Sequence, residues 1–342
     1  MVLDDVIKKL RELAGSASLA DVREGLGGLK EAVREVDPAP WLVGDLDQVG
    51  ESLTLERARY YLRRMEKSLT RVRTGRVNDL NLNRWKEYDD VFTDSLWVMK
   101  KRDSSGVHTA GYWGNFVPQI PYQLMRRYTR AGEWVLDPFA GSGTTLIECQ
   151  RVGRNGIGIE LQNDVAERAR TLIAAAPNPH GVVTHVECAD SSRVLLEPIL
   201  ERLGVRSVGL LVLHPPYFDI IRFSDDPRDL SNAASVDLFL DRLMAVVEST
   251  AAFLPSGRYM ALVIGDKYAG SEWVPLGFLS MQRILEAGFT LKSIVVKNFE
   301  STVGKRNQEE LWRYRALVGG FYVFKHEYVF IFQKKKPEEG RR

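Results

Sequence analysis

The sequence predicts an α/β protein: a doubly wound, mainly parallel, seven-stranded sheet with a helical extension at its N-terminus. Three observations carry this. From about residue 118 short apolar runs alternate with helical segments. Two turn motifs each follow such a run: Asp137–Thr145 after Trp134-Val135-Leu136, and His214-Pro215-Pro216-Tyr217 after Leu210–Leu213. The first 80 residues instead repeat apolar residues at helical spacing.

In that first region Leu19, Val22, Leu26, Leu29, Val33 and Val36 step by 3, 4, 3, 4, 3, and Leu55, Ala58, Leu62, Met65, Leu69 and Val72 keep the same rhythm. Each set draws one apolar stripe along a helix. Asp37-Pro38-Ala39-Pro40 breaks the chain between them. Such helices pack as a bundle, or offer a dimer seam or a DNA-facing arm. Arg57, Arg59, Arg63, Arg64, Lys67, Arg71, Arg73 and Arg76 favour the arm.

Beyond it, Pro121–Tyr128 reads as helix. Strands are expected at Trp134–Leu136, Gly156–Glu160, Val182–Val186, Val208–Leu213, Tyr259–Ile264, Leu291–Val296 and Tyr322–Phe332. Helices near 144–152, 163–176, 192–203, 236–253 and 277–287 separate most of them. Asn298–Gly320, between the last two strands, is polar and basic with no helix of that kind expected, and the tail after Phe332 is charged. The expected domains are residues 1–80 (helical), 81–335 (catalytic α/β) and 336–342 (tail).

With 342 residues, 44% of them hydrophobic, the chain can bury a sizeable core. A net charge of +2 gives no global sign of a polyanionic partner, yet residues 51–130 hold 16 Lys and Arg against 9 Asp and Glu. A local basic region of that kind can follow a phosphate backbone, as can an ordinary solvated helix face. Cys149 and Cys188 form no Cys-x-x-Cys pair and no zinc spacing, so reduced thiols and no metal are expected. No stretch reaches the ~20 apolar residues that span a bilayer. A soluble, cytoplasmic protein without a membrane partner is expected.

The first turn is a ligand turn. Gly141 and Gly143 let the backbone bend sharply and approach a ligand beyond the strand ends. No Lys follows the second glycine, which argues against a phosphate-cradling loop. The third glycine of a dinucleotide fingerprint is replaced by Leu146. An adenosyl ligand without phosphates fits better. Glu160, ending the second strand, can accept from ribose hydroxyls, and Asp190, after the third, from an adenine amino group. Asp137 can hold a cationic amine. S-adenosyl-L-methionine offers all three handles.

The second turn suits a planar base. Pro215 and Pro216 fix it, and Tyr217 is suited to stacking on a base flipped from a duplex. An exocyclic amino group is a poor nucleophile until acceptors draw on its hydrogens. The Pro215 carbonyl and a neutral His214 can serve.

These residues resemble the amino-type DNA methyltransferases, which make N4-methylcytosine or N6-methyladenine. Asp137-Pro138-Phe139-Ala140-Gly141-Ser142-Gly143-Thr144-Thr145 is similar to their cofactor motif and His214–Tyr217 to their catalytic motif. Phe116-Val117-Pro118-Gln119-Ile120-Pro121 resembles their additional cofactor-pocket motif, and Lys325–Phe330 their closing strand. The resemblance spans roughly residues 92–333. It implies S-adenosyl-L-methionine at Phe116, Pro118, Asp137, Pro138, Phe139, Gly141, Gly143, Thr144, Glu160 and Asp190. Catalysis would fall to His214, Pro215, Pro216 and Tyr217, with double-stranded DNA as partner in a restriction-modification setting with a cognate endonuclease.

One position departs. The family usually has Asp, Asn or Ser where His214 stands, so the base is undecided, with N4 of cytosine favoured slightly over N6 of adenine. A 5-methylcytosine mechanism is disfavoured because its nucleophilic Cys follows Pro, whereas Cys149 and Cys188 follow Glu148 and Glu187. Two other readings stand beside DNA methylation: an RNA amino-methyltransferase acting on guanine N2 of tRNA, and a non-catalytic nucleic-acid-binding subunit. Segments open to DNA contact are the N-terminal helices, Asn78–Trp113, Phe218–Ser235 and Asn298–Gly320, where Trp312 and Tyr314 mix with cations. The loop after Tyr217 holds Asp225, Asp226 and Asp229 and is expected to shape the pocket or cap a helix.

Overall fold

The computed structural model describes residues 3–36, 40–108, 114–299 and 309–336. The chain divides into two compact units, Met1–Val91 and Phe92–Arg342.

The first unit contains helices α1 (Leu3–Ala14), α2 (Leu19–Val36), α3 (Pro40–Gly50) and α4 (Leu55–Thr70). Their apolar stripes meet in one core around Leu10, Val22, Leu26, Leu29, Leu46, Leu62 and Met65. Thr54 caps α4 by accepting the Arg57 N–H at 3.2 Å. The helix stops at Thr70, so Val72, expected on its stripe, is 78% exposed. Several of the eight cations of the supposed DNA-facing stripe are used internally, Arg57 among them through the Tyr61 hydroxyl. Arg59 donates to the Ser16 carbonyl and Arg64 to Asp45. The break at Asp37-Pro38-Ala39 lies outside the described residues.

This unit runs past the expected boundary at residue 80 because Leu82–Glu87, a short 3-10 turn, packs back on the helices. Trp41 donates its indole N–H to Glu87 at 2.9 Å, and Lys86 pairs with the buried Asp45.

The second unit holds the sheet. In chain order it runs β1 (Leu96–Trp97), α5 (Gln119–Tyr128), β2 (Trp134–Asp137), α6 (Thr144–Val152), β3 (Asn155–Glu160), α7 (Asn163–Ala175), β4 (Thr184–Cys188), α8 (Leu196–Arg202) and β5 (Leu210–Leu213). It continues with α9 (Val236–Ala251), β6 (Tyr259–Ile264), β7 (Lys267–Ala269), β8 (Glu272–Val274), α10 (Leu276–Glu286), β9 (Phe289–Asn298), α11 (Glu309–Gly319) and β10 (His326–Lys334). The sheet order is β1-β9-β10-β6-β5-β2-β3-β4. From β4 to β6 the neighbours are parallel, β10 lies antiparallel between β6 and β9, and β1 adds an eighth, two-residue edge strand.

Period-2 alternation divides the strands between two cores. Leu211, Leu213, Met260, Leu262, Phe330 and Phe332 face one layer, with α8, α9 and α10. Leu210, Val212, Ala261, Val263, Val329 and Ile331 face the other, with α5 and Cys149 of α6. Burial on both faces is why these strands read as near-continuous apolar runs. β2 leads to β3 and β4 on one side, while β5 leads to β6 on the other. The chain therefore switches direction between β2 and β5, where open α/β sheets bind ligands.

The expected strands are present with shifted ends. Val182 and Val183 precede β4, and Tyr322–Lys325 precede β10. Three further elements lie outside the expectation. Besides β1, a hairpin joins β7 to β8 through Gly270 and Ser271, both at positive φ (58° and 64°), the backbone of a tight hairpin turn. Helix α11 occupies part of Asn298–Gly320, which was expected to lack one. Lys305, Arg306 and the tail from residue 337 are outside the described residues. Among the described residues no helix is long and apolar enough to cross a membrane.

The Asp137–Thr145 turn lies directly on β3. A Cβ at Gly158 would meet the Ala140 Cβ at 2.8 Å and Leu146 Cδ1 at 3.1 Å. Gly158→Val should therefore lift the turn and cost about 1–3 kcal/mol. A urea or thermal denaturation series reads this as a lowered midpoint; an unchanged midpoint would contradict the close approach.

Candidate active site

The carboxyl ends of β2, β3, β4 and β5 open onto one cleft of about 800 Å³, its mouth included. Phe116, Pro138, Phe139, Gly141, Glu160, Asp190, His214, Pro215 and Pro216 line it. Nine of the residues expected at a site thus meet. Pro118, Asp137, Gly143, Thr144 and Tyr217 are not on its wall.

Four of those five act from behind. Asp137 is fully buried; one oxygen accepts the Phe139 N–H at 2.9 Å and the other the Thr145 hydroxyl. Its carboxylate ties the turn to the first turn of α6 instead of facing a ligand. Burial raises its pKa to about 6, against the Thr145 and Phe139 hydrogen bonds that lower it. Gly143 caps α6 at φ +85°, and a Cβ there would strike Ile173 at 2.9 Å. Thr144 donates its hydroxyl to the Asn115 amide oxygen, while the Asn115 amide donates to Ser142 Oγ at 2.8 Å. Pro118 starts α5 with φ −56° and so directs the segment that carries Asn115 and Phe116.

On the wall itself two acids retain acceptor capacity. Glu160 accepts the Gly141 N–H at 2.9 Å on one oxygen and the Gln162 N–H at 3.0 Å on the other. The Leu161 N–H is a third backbone donor to this carboxylate, whose four lone-pair positions leave room for a ligand hydroxyl. Burial pushes the Glu160 pKa up, and the backbone donors oppose the rise. Asp190 takes the Ser192 N–H and hydroxyl on Oδ1, at 2.9 and 2.7 Å. Its Oδ2 has no hydrogen bond from the described residues.

The opposite wall is His214-Pro215-Pro216 of the second turn, His214–Tyr217, the candidate reaction turn. The His214 ring sits 4.6 Å from the Phe116 ring, and its Nε2 lies 3.1 Å from the Tyr217 hydroxyl. Burial pushes the His214 pKa down to about 4, with Glu327 pulling it up and Lys297 down, so the ring is neutral at physiological pH. Tyr217 is half-buried. Its hydroxyl donates to Glu327 at 2.8 Å, and its ring edge lies where Gly265 lacks a Cβ. Burial, with Glu327 beside it, holds the phenol well above its usual pKa. The next residue, Phe218, has φ +52° and is buried against Phe239. Backbone strain of this kind persists only where packing enforces it.

The loop after the turn shapes the cleft, as expected. Phe223, Arg228, Asp229 and Leu230 line it, and Asp229 caps a 3-10 turn by accepting the Ser231 N–H at 2.9 Å. Sequence reasoning missed Asn115, Phe223, Glu327 and Lys297. Asn115 was legible only as a neighbour of Phe116. Glu327 had one signal, an acid inside an apolar strand run.

Residues 53–171 match the family model for DNA methylase. Three curated relatives are Type II methyltransferases. M.MjaII of Methanocaldococcus jannaschii is 43% identical over 56 residues, 16% of this chain and 10% of that protein. M.MthZI of Methanothermobacter thermautotrophicus is 37% identical over 91 residues, 27% and 24% of the two chains. M2.DpnII of Streptococcus pneumoniae is 36% identical over 98 residues, 28% and 33%. The chain therefore spans between a tenth and a third of the length of these relatives. Among solved structures, TrmN from Thermus thermophilus aligns over 64% of this chain and 49% of its own, at 19% identity and a TM-score of 0.42. The family-model and curated matches bear out the resemblance to amino-type DNA methyltransferases over the stretches they cover.

The buried Asp137 carboxyl gives a pH test. Its folded pKa of about 6 exceeds the ordinary aspartate value of 3.8, so ionisation opposes folding. Its contribution is fully present below about pH 4 and lost as pH rises through about 6. Asp137→Asn cannot ionise, so between those limits its stability should gain on wild type by on the order of 2 kcal/mol. Urea unfolding at both pH values measures this; parallel wild-type and variant curves would rule out the raised carboxyl.

Proposed function

We propose that this chain transfers a methyl group from S-adenosyl-L-methionine to the exocyclic amino group of a base flipped out of double-stranded DNA. N4 of cytosine is the favoured acceptor over N6 of adenine. The observation that carries this is the convergence of both turns on one cleft: Gly141, Glu160 and Asp190 on one wall, His214-Pro215-Pro216 on the other.

The donor set fits such a cofactor. Glu160 offers unused lone pairs to ribose hydroxyls, and Asp190 Oδ2 offers one to an amino group. Gly141, at φ +50° and without a side chain, lets backbone approach the ligand. Asp137 contributes by holding the turn. The bound cofactor supplies an activated methyl group on sulfonium.

The chain's own work is orientation and hydrogen bonding. Neutral His214 and the Pro215 carbonyl accept the two amino hydrogens, turning the nitrogen lone pair toward the methyl. Tyr217 supplies aromatic surface beside the base. A cysteine mechanism has no support, since Cys149 is fully buried with its thiol pushed far up by burial and Cys188 does not line the cleft. The cytosine preference rests on the missing acid at position 214. A restriction-modification role with a partner endonuclease is supported by the Type II descriptions of the relatives.

The test is incubation of the full chain with labelled cofactor and either duplex DNA or tRNA, followed by nucleoside mass spectrometry. N4-methyldeoxycytidine is expected. N6-methyldeoxyadenosine would move the base assignment, and N2-methylguanosine from tRNA would overturn the polymer. Cofactor binding without methyl transfer would leave a non-catalytic binding subunit. Glu160→Ala should raise the cofactor Kd by roughly 10- to 100-fold. His214→Ala should lower turnover by about 10-fold or more and leave cofactor affinity nearly unchanged. Wild-type turnover should lose this acceptor only as pH falls toward about 4. Near-normal turnover of His214→Ala would remove His214 from the mechanism.

A further inference from the structure

Behind the reaction turn lies a buried ion pair that the proposed chemistry leaves unused. Lys297 on β9 and Glu327 on β10 stand directly opposite each other in the antiparallel ladder. Lys297 Nζ is 2.9 Å from Glu327 Oε1, and the side chains are 7% and 11% exposed. The other carboxylate oxygen, Oε2, accepts the Tyr217 hydroxyl proton at 2.8 Å. The Tyr217 oxygen lies 3.1 Å from His214 Nε2. Four side chains thus form a line from the sheet to the cleft wall.

Proton counting fixes their roles. A phenol has one hydrogen. Burial alone would keep Glu327 protonated, but Lys297 and the Tyr217 hydrogen bond pull its pKa below the usual value, so it is an acceptor only. The Tyr217 hydrogen therefore goes to Glu327. The contact between Tyr217 and His214 then requires His214 Nε2 to carry a hydrogen and donate it. Neutral His214 is left with a lone pair on Nδ1, which makes no hydrogen bond among the described residues.

We propose that Lys297 and Glu327 are positioning residues that, through Tyr217, lock His214 in the Nε2–H tautomer and so present Nδ1 as a hydrogen-bond acceptor toward the substrate amino group. Neither touches substrate. A buried ion pair is no strong stabiliser by itself, since apolar residues often replace one without loss. Its termination on the reaction turn gives it a use. The inference rests on the amino-methylation reading for its purpose but not for its geometry.

Glu327→Gln tests it. Lys297 needs an acceptor, so the amide oxygen should turn to Lys297 and the amide N–H to the Tyr217 oxygen. Tyr217 must then donate to His214 Nε2, and the tautomer inverts to Nδ1–H. NMR of the full chain with isotope-labelled histidine, His214 being identified by its loss in His214→Gln, distinguishes the forms. Wild type should have a protonated Nε2 and a bare Nδ1; Glu327→Gln should have the reverse. Its methylation turnover should fall by ~10-fold or more with cofactor Kd within about two-fold of wild type. Lys297→Met with Glu327→Leu removes both charges and, having no acceptor for Tyr217, should invert the tautomer too; it decides if Glu327→Gln does not fold. A protonated Nδ1 in wild type, or an unchanged tautomer in the folded variants, overturns the proposal. A wild type that shows the Nε2–H form yet methylates neither DNA nor tRNA would instead overturn the function and leave the relay standing.

Discussion

Parallel pairing of β2 with β5, through Val135 with Leu210 and Leu136 with Leu211, sets the distance between the two turns that matter. Each turn begins where its strand ends, so the pairing delivers Asp137–Thr145 and His214–Tyr217 to the same edge of the sheet. Everything else at the cleft adjusts around that. Gly158 lets the first turn rest on β3, and Asp137 ties it to α6. Phe218 accepts a strained backbone so that the second turn can leave its strand sharply.

The cost of this arrangement is polar burial. Asp137, Glu160 and Glu327 all sit within apolar strand ends, where a lone carboxylate would be expelled or protonated. Each is retained by a different device. Asp137 has a backbone N–H and a hydroxyl. Glu160 has backbone N–H groups on both oxygens. Glu327 has the ammonium of Lys297 and a phenol. Of the three, Glu160 alone lines the cleft, which separates the acid proposed to bind from two that shape their surroundings.

The sheet was legible in the sequence because its central strands are buried on both faces. Leu210–Leu213 and Tyr259–Ile264 could hardly be read otherwise. The wall of the cleft was legible too, since a turn motif names its own residues. What the sequence could not show was depth. Asp137 and Glu160 both end strands and look alike in one dimension, yet one faces inward and the other faces the cleft. Two kinds of element were also lost: a three-residue hairpin strand is too short for periodicity to register, and α11, as long as α10, is mostly exposed and draws no clear apolar stripe. Lys297 and Glu327 are 30 positions apart, and only the β9–β10 register makes them partners.

That register has a consequence for how the molecule comes into being. β10 is the last strand in chain order but occupies an interior place, between β6 and β9. Until it inserts, β6 has no neighbour on one side and β9 has only the two-residue β1. A ribosome delivers these strands in sequence, so the ligand turn and the reaction turn can form while the sheet is still open. Glu327 arrives with the closing strand. The strands that carry the cleft thus precede along the chain the side chain proposed to orient His214.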